Sequence, residues 1–167
     1  YAVYEELYAD EKVTCLMQES AMREQAREEF LEAFAKDNEK TLVGFCIMGG
    51  IFSEGIDLDG EKLIGAAVVG AGIPQVGPER ELLKQYFDRN GENGFDYAYR
   101  YPGMNKVLQA AGRVIRTTED RGVILLLDER FRNREYRELF PREWEDCQIV
   151  QRNRLSDLME QFWKDQV

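Results

Sequence analysis

Histidine is absent from this sequence. That removes imidazole as a general acid or base, excludes Ser-His and Cys-His nucleophile pairs, and excludes every zinc site that needs imidazole. Also missing is any Gly-x-x-x-x-Gly-Lys-[Ser/Thr] stretch, so no phosphate-cradling loop is encoded. No run of about 18 apolar residues occurs, which leaves no transmembrane helix and no expected membrane partner. The opening residues Tyr1-Ala2-Val3-Tyr4-Glu5 have no basic region ahead of an apolar one and do not form a signal peptide. There is no initiating Met, and the expectation is a piece of a longer polypeptide. Cysteine is sparse. Cys15, Cys46 and Cys147 lie far apart with no Cys-x-x-Cys pair, so neither a disulfide framework nor a metal site is expected. Cys15 and Cys46 sit in apolar runs and read as buried, reduced thiols, which fits a cytoplasmic location.

What is present suits one soluble domain: 167 residues, 44% hydrophobic and 32% charged. The net charge of -10 argues at first sight against nucleic acid. Its distribution argues otherwise. Residues 1–65 hold 6 basic and 15 acidic side chains, whereas residues 100–142 hold 10 basic and 6 acidic. The acidity describes a solvated outer face; the second region is locally positive.

Apolar strand-like runs alternate with amphipathic segments. Strands are expected over Lys12–Gln18, Thr41–Met48, Leu63–Val69 and Gly122–Leu127. Helices are expected over Tyr1–Ala9, from a Ser20 N-cap to Asp37, from Pro78 to the break at Gly91–Gly94, over Gly103–Thr117, over Arg134–Phe140 and over Arg154–Trp163. Strands that are apolar throughout indicate a mostly parallel sheet, buried on both faces and covered by helices on each side. Ligands of such α/β sheets sit at the carboxyl ends of the strands, which directs attention to the loops after Met48, Val69 and Leu127.

Two segments carry chemistry. On the expected Gly103–Thr117 helix, Gln109, Arg113 and Arg116 fall within an arc of about 60°, opposite Val107, Leu108, Ala111, Val114 and Ile115, with Gly112 leaving one flank bare. Neighbouring guanidiniums repel unless an anion or acidic partner faces them, and Arg suits bidentate phosphate contact. A solvated, salt-bridged helix face is the alternative, and the stripe alone leaves both open. The second segment is the loop Gly49–Gly60. Its four glycines permit close backbone approach to a ligand, and Glu54, Asp57 and Asp59 line it. It could equally be a simple solvated loop.

Together the two segments resemble motifs V and VI of superfamily 2 helicases, most closely the XPD/DinG branch. Ser53-Glu54-Gly55-Ile56-Asp57 is similar to motif V, and Gln109-Ala110-Ala111-Gly112-Arg113-Val114-Ile115-Arg116 to motif VI. Val68-Val69-Gly70 with Ile73-Pro74 and Pro78, then Asp120-Arg121-Gly122 and Leu126-Leu127-Asp128-Glu129-Arg130, also fit that branch. The resemblance runs from about Lys12 to Trp144.

The resemblance implies a RecA-like three-layer α/β domain spanning residues 1–167, the second motor lobe of an ATP-dependent DNA helicase. ATP would lie between this lobe and a first RecA-like lobe of the same polypeptide. That first lobe would supply most of the ATP and Mg2+ contacts and, where the family has one, an iron–sulfur cluster. Arg116 would be the arginine finger on the transferring phosphate, Arg113 would assist it, and Gln109 would line the same cleft. Gly55 and Asp57 would serve the nucleotide, while Ser53 and Glu54 would contact single-stranded DNA. The lobe by itself would be inactive. The alternative is a non-catalytic RecA-like module that binds nucleic acid or a protein.

Smaller signals have ordinary explanations available. Tyr97, Tyr99 and Tyr101 flank Arg100 in the manner of a base-stacking surface, with core packing the favoured reading. Arg130, Arg132, Arg134 and Arg137 could meet phosphate, with pairing to Glu135 and Glu138 favoured.

Overall fold

A computed structural model describes residues 2–36, 38–52 and 62–164. The chain divides into two compact units, Tyr1–Asp128 and Glu129–Val167.

The first unit opens with α1 (Ala2–Tyr8), β1 (Val13–Met17), α2 (Glu24–Ala35) and β2 (Thr41–Phe45). β1 and β2 pair in parallel, from Val13 opposite Thr41 to Met17 opposite Phe45, so α2 is the crossover of a βαβ unit. Phe30 is buried, with the half-buried Ala26 and Ala33 on the same face of α2. Gly44 makes room for this helix: a Cβ there would lie 2.8 Å from the Phe34 ring and 3.1 Å from that of Phe30. Phe52 stacks on Phe30 with centroids 4.3 Å apart and pins the chain where it leaves the segment after β2. Ser20 is not the helix cap. α2 starts four residues later, with extended Arg23 at the N-cap position and no side-chain cap.

The second half of this unit runs β3 (Gly65–Val69), α3 (Pro78–Arg89), a π-turn (Asp96–Arg100), α4 (Tyr101–Ala111) and β4 (Val123–Leu127). β3 and β4 are parallel, from Gly65 opposite Val123 to Val69 opposite Leu127. Pro78 occupies the first turn of α3, where its missing N–H costs nothing, and Gly91 breaks the chain direction at φ +83°. The π-turn has an identifiable cause. Pro102 cannot donate the amide that an α-helix would send to Ala98, four residues back, and the Arg80 guanidinium donates to that carbonyl instead, at 3.3 Å. Met104, Val107, Ala111 and Val114 then form one buried line, meeting a core that includes Val68, Ala71, Ala98 and Tyr99.

The α/β class and the parallel pairing are as the pattern predicts. Among the described residues the strands form two parallel pairs, β1–β2 and β3–β4. Burial on both faces is not observed: along β3, Gly65, Ala67 and Val69 are exposed, Val69 to 74%. Cys46 is likewise exposed, because β2 stops at Phe45 and the chain has left the sheet before it.

The second unit contains two 3-10 turns (Glu129–Arg132 and Arg142–Trp144), α5 (Arg134–Arg137) and α6 (Arg152–Lys164). Phe131, Tyr136, Phe140 and Trp144 form its chain of ring contacts. Among the described residues no helix is long and apolar enough to cross a membrane.

Candidate functional site

The candidate site in the first unit is built around α4. Its first turn meets the loop after β3 backbone to backbone. Gly72 has φ +64°, and a Cβ on it would lie 2.7 Å from the Gly103 carbonyl oxygen. A Cβ on Gly103 would lie 2.6 Å from the Ala71 oxygen. One turn further on, Lys106 lies across Gly49, which has φ +77°, so α4 touches the start of the loop that bears the motif V residues. That start is further tied down by Gln18, whose side-chain oxygen accepts the Ile47 amide at 2.9 Å, and by the Gly50 amide donating to the Ile47 carbonyl. Ser53, Glu54, Gly55 and Asp57 themselves lie outside the described residues, as does Asp59.

At its far end α4 stops at Ala111, not at Thr117. Gly112 caps it, its amide donating to the Leu108 carbonyl at 2.8 Å. The next two amides tighten to three-residue turns, Arg113 to Ala110 and Val114 to Ala111. The single helical stripe expected for Gln109, Arg113 and Arg116 is therefore not formed. Gln109 is exposed on the helix, Arg113 sits half-buried in the turn, and Arg116 sits half-buried in the irregular segment beyond it. Ile115 falls outside the helical periodicity for the same reason and is exposed, whereas Val107, Ala111 and Val114 are buried. Val114 packs where a Gly122 side chain would be, just ahead of β4. The two arginines thus lie toward the amino end of β4, not at the carboxyl strand ends to which the general rule for such sheets directs attention. Guanidiniums just past a helix C-terminus are electrostatically favoured in their own right, because they face the free carbonyl end of the dipole.

Asp120 organises this segment. Its Oδ2 accepts the Arg116 amide at 2.9 Å and the Thr117 amide at 2.8 Å. In return, Thr117 Oγ1 accepts the amides of Glu119 and Asp120, each at 3.3 Å. The Arg116 amide, followed by that of Thr117, holds the Asp120 carboxyl below the usual carboxylate range. Sequence reasoning assigned Asp120 to the family pattern and gave it no job. The Thr-x-x-Asp spacing of residues 117–120, the same as in a helix capping box, is the signal that finds it.

The remaining candidates separate clearly. Tyr99 is buried and donates its hydroxyl to Glu81 at 2.5 Å, and Tyr97 stacks on Phe87 with centroids 3.8 Å apart and meets Tyr101 edge-on. Arg100 pairs with Asp96 at 2.6 Å. This is packing, not a base-stacking surface. In the second unit, Arg134 pairs with Glu138 at 2.7 Å and Arg137 lies over the Phe140 ring. Arg130 and Arg132 line an open pocket of about 410 Å3 together with Glu129 and Asn133. No cluster of three or more metal-ligating side chains is found among the described residues.

Comparison with known proteins follows the same segment. Residues 1–147 match the helicase C-terminal domain. The chain is 36% identical over 104 residues to the ATP-dependent DNA helicase DinG of Photobacterium profundum, covering 60% of this chain and 15% of that protein. It is 30% identical over 120 residues to the ATP-dependent DNA helicase YoaA of Haemophilus influenzae, covering 70% and 18%. It is 29% identical over 132 residues to the general transcription and DNA repair factor IIH helicase subunit XPD of Dictyostelium discoideum, covering 74% and 16%. A solved XPD helicase shares the fold with a TM-score of 0.60 at 19% identity, over 83% of this chain and 25% of that one. The chain therefore spans less than a fifth of the length of these three curated relatives.

Proposed function

This chain belongs to the XPD/DinG-type helicase C-terminal domain family, and on that footing we propose that it is the second motor lobe of an ATP-dependent DNA helicase. The proposal covers residues 1–167, paired in the full polypeptide with a first RecA-like lobe that contributes most of the ATP and Mg2+ contacts. ATP supplies the phosphoanhydride whose hydrolysis drives movement along single-stranded DNA. This chain's own part is charge. Arg116 stabilises the negative charge that builds on the transferring phosphoryl oxygens, Arg113 adds a second guanidinium, and Gln109 lines the same cleft. Ser53 and Glu54 meet the DNA backbone, and Gly55 and Asp57 serve the nucleotide. The isolated chain hydrolyses no ATP.

The observation that carries this reading is the seating of Arg116. Arg116 is half-buried and its backbone is fastened by Asp120, an arrangement suited to a charge that must arrive in one place. α4 supports the reading too, since it also touches Gly49, four residues before Ser53. In the full-length helicase, Arg116→Ala should lower DNA-stimulated ATP turnover by roughly a thousandfold or more while ATP binding stays nearly intact. Unchanged turnover rejects the finger role.

A further inference from the structure

The segment carrying Arg116 has no regular structure to hold it. The α4 ladder ends at Ala111 and β4 begins only at Val123. Backbone amides between them must find acceptors elsewhere or be lost to water. Four of them find two side chains. The consecutive amides of Arg116 and Thr117 converge on one oxygen, Asp120 Oδ2, and those of Glu119 and Asp120 converge on Thr117 Oγ1. Two adjacent N–H groups can aim at one atom only over a narrow range of the dihedral angles between them. The bond pair therefore fixes the direction in which the Arg116 Cα–Cβ bond leaves the backbone. An arginine side chain has several rotatable bonds beyond that point, so a wandering pivot would add to every one of them.

Building on the reading of Arg116 as the finger, we infer that Asp120 is the positioning residue that aims it. Asp120 makes no contact with the reacting phosphate in this account. It acts through the backbone of Arg116, and its effect is confined to the step in which that guanidinium is used. The depressed pKa of its carboxyl agrees with an acceptor that is ionised and already occupied. A misplacement of about 1 Å in a catalytic group can cost on the order of a hundredfold in rate.

The test uses the full-length helicase and steady-state ATP turnover with single-stranded DNA. Asp120→Ala should lower kcat by about tenfold to a hundredfold with KM changed less than twofold. Asp120→Asn keeps an oxygen where both amides converge and should stay within about threefold of wild type. In an Arg116→Ala background, Asp120→Ala should bring no further fall. Thr117→Val, at an exposed position, removes the two return bonds and should lower kcat a few-fold at constant KM. This variant carries the test if Asp120→Ala does not fold, and an unchanged kcat for it then overturns the inference. Wild-type turnover in Asp120→Ala alongside a dead Arg116→Ala also overturns the inference, and leaves the finger reading standing. So does an equal loss in Asp120→Ala and Asp120→Asn, or a loss that persists in the Arg116→Ala background. Wild-type turnover in Arg116→Ala removes the finger reading itself and the inference with it.

Discussion

Replacing Gly103 by alanine should have the opposite sign from the one helix propensity gives. Gly103 lies in the first turn of α4, where an exchange to alanine ordinarily gains about 0.5–1 kcal/mol by reducing the freedom of the unfolded chain. Here the new methyl would stand 2.6 Å from the Ala71 carbonyl oxygen, 3.1 Å from the Ile73 nitrogen and 3.2 Å from the Gly72 carbonyl carbon. All three are backbone atoms, so no rotamer change can clear the space. Either α4 or the Gly70–Pro78 loop has to move. Overpacking typically costs about 1–3 kcal/mol, and a clash with immovable backbone falls in the upper part of that range, about 2–3 kcal/mol, which leaves a net loss of about 1–2 kcal/mol after the propensity gain. For a chain of this size that is a fall in melting temperature of about 2–8 °C. Gly112→Ala is the control. Gly112 is exposed, has helical φ of -66°, and a Cβ on it would come no closer than 3.2 Å, to the Leu108 oxygen. Its effect should stay within about 0.5 kcal/mol. Thermal unfolding of both variants beside wild type decides the matter. A Gly103→Ala protein as stable as wild type, or more so, would sink the account of α4 as a helix seated directly on backbone.

Two further outcomes follow from the same unit. Arg80→Met removes the donor that serves the Ala98 carbonyl in place of Pro102, and should cost about 1–2 kcal/mol in urea unfolding. The cost should shrink in a Pro102→Ala background, where an amide is restored, and equal costs in both backgrounds would separate Arg80 from the proline. For pH, the folded-state pKa values of Asp120 and Asp88 both lie below the unfolded carboxylate value. The leading causes are the Arg116 and Thr117 amides for Asp120, and the Gly94 amide and Lys84 for Asp88. Their stabilising contribution is therefore complete above about pH 4 and is lost as pH falls through the depressed folded values. Asp120→Asn should flatten the acid limb of a stability-versus-pH curve, and an unaltered slope would contradict the carboxylate's role.

Much of this fold was legible in the chain. The four apolar runs give β1 to β4 with ends moved by only a few residues, Pro78 starts α3, and Gly91 lies just past its end, because each signal acts through the local backbone. The end of α4 was not legible. Periodicity carries Val114 and Ile115 on past Gly112, and a glycine at helical φ gives no sign of stopping. What stops the helix is competition: Asp120 and Thr117 offer the amides of residues 116, 117, 119 and 120 other acceptors, and a periodicity count takes no account of acceptors downstream. The π-turn is hidden for a similar reason. Pro102 announces a missing donor, but Arg80, 22 positions earlier, only meets Ala98 once α3 has folded back. Of the candidate site, Arg113 and Arg116 were legible as types of residue in a pattern. Their mounting was not.

The way Arg116 is mounted bears on how its role can be dissected. Asp120 grips N–H groups, which every residue except proline possesses. The fastening therefore works chiefly through the backbone, as a tool holder grips the shank of a bit, with the Arg116 charge adding a lesser pull on the same carboxylate. Lysine at position 116 keeps both bonds and the positive charge near Asp120, so Arg116→Lys reports on the tip, whereas alanine or glutamine also removes that charge's pull on the carboxylate. Proline at 116 or 117 is the one exchange that would remove one of the two bonds themselves.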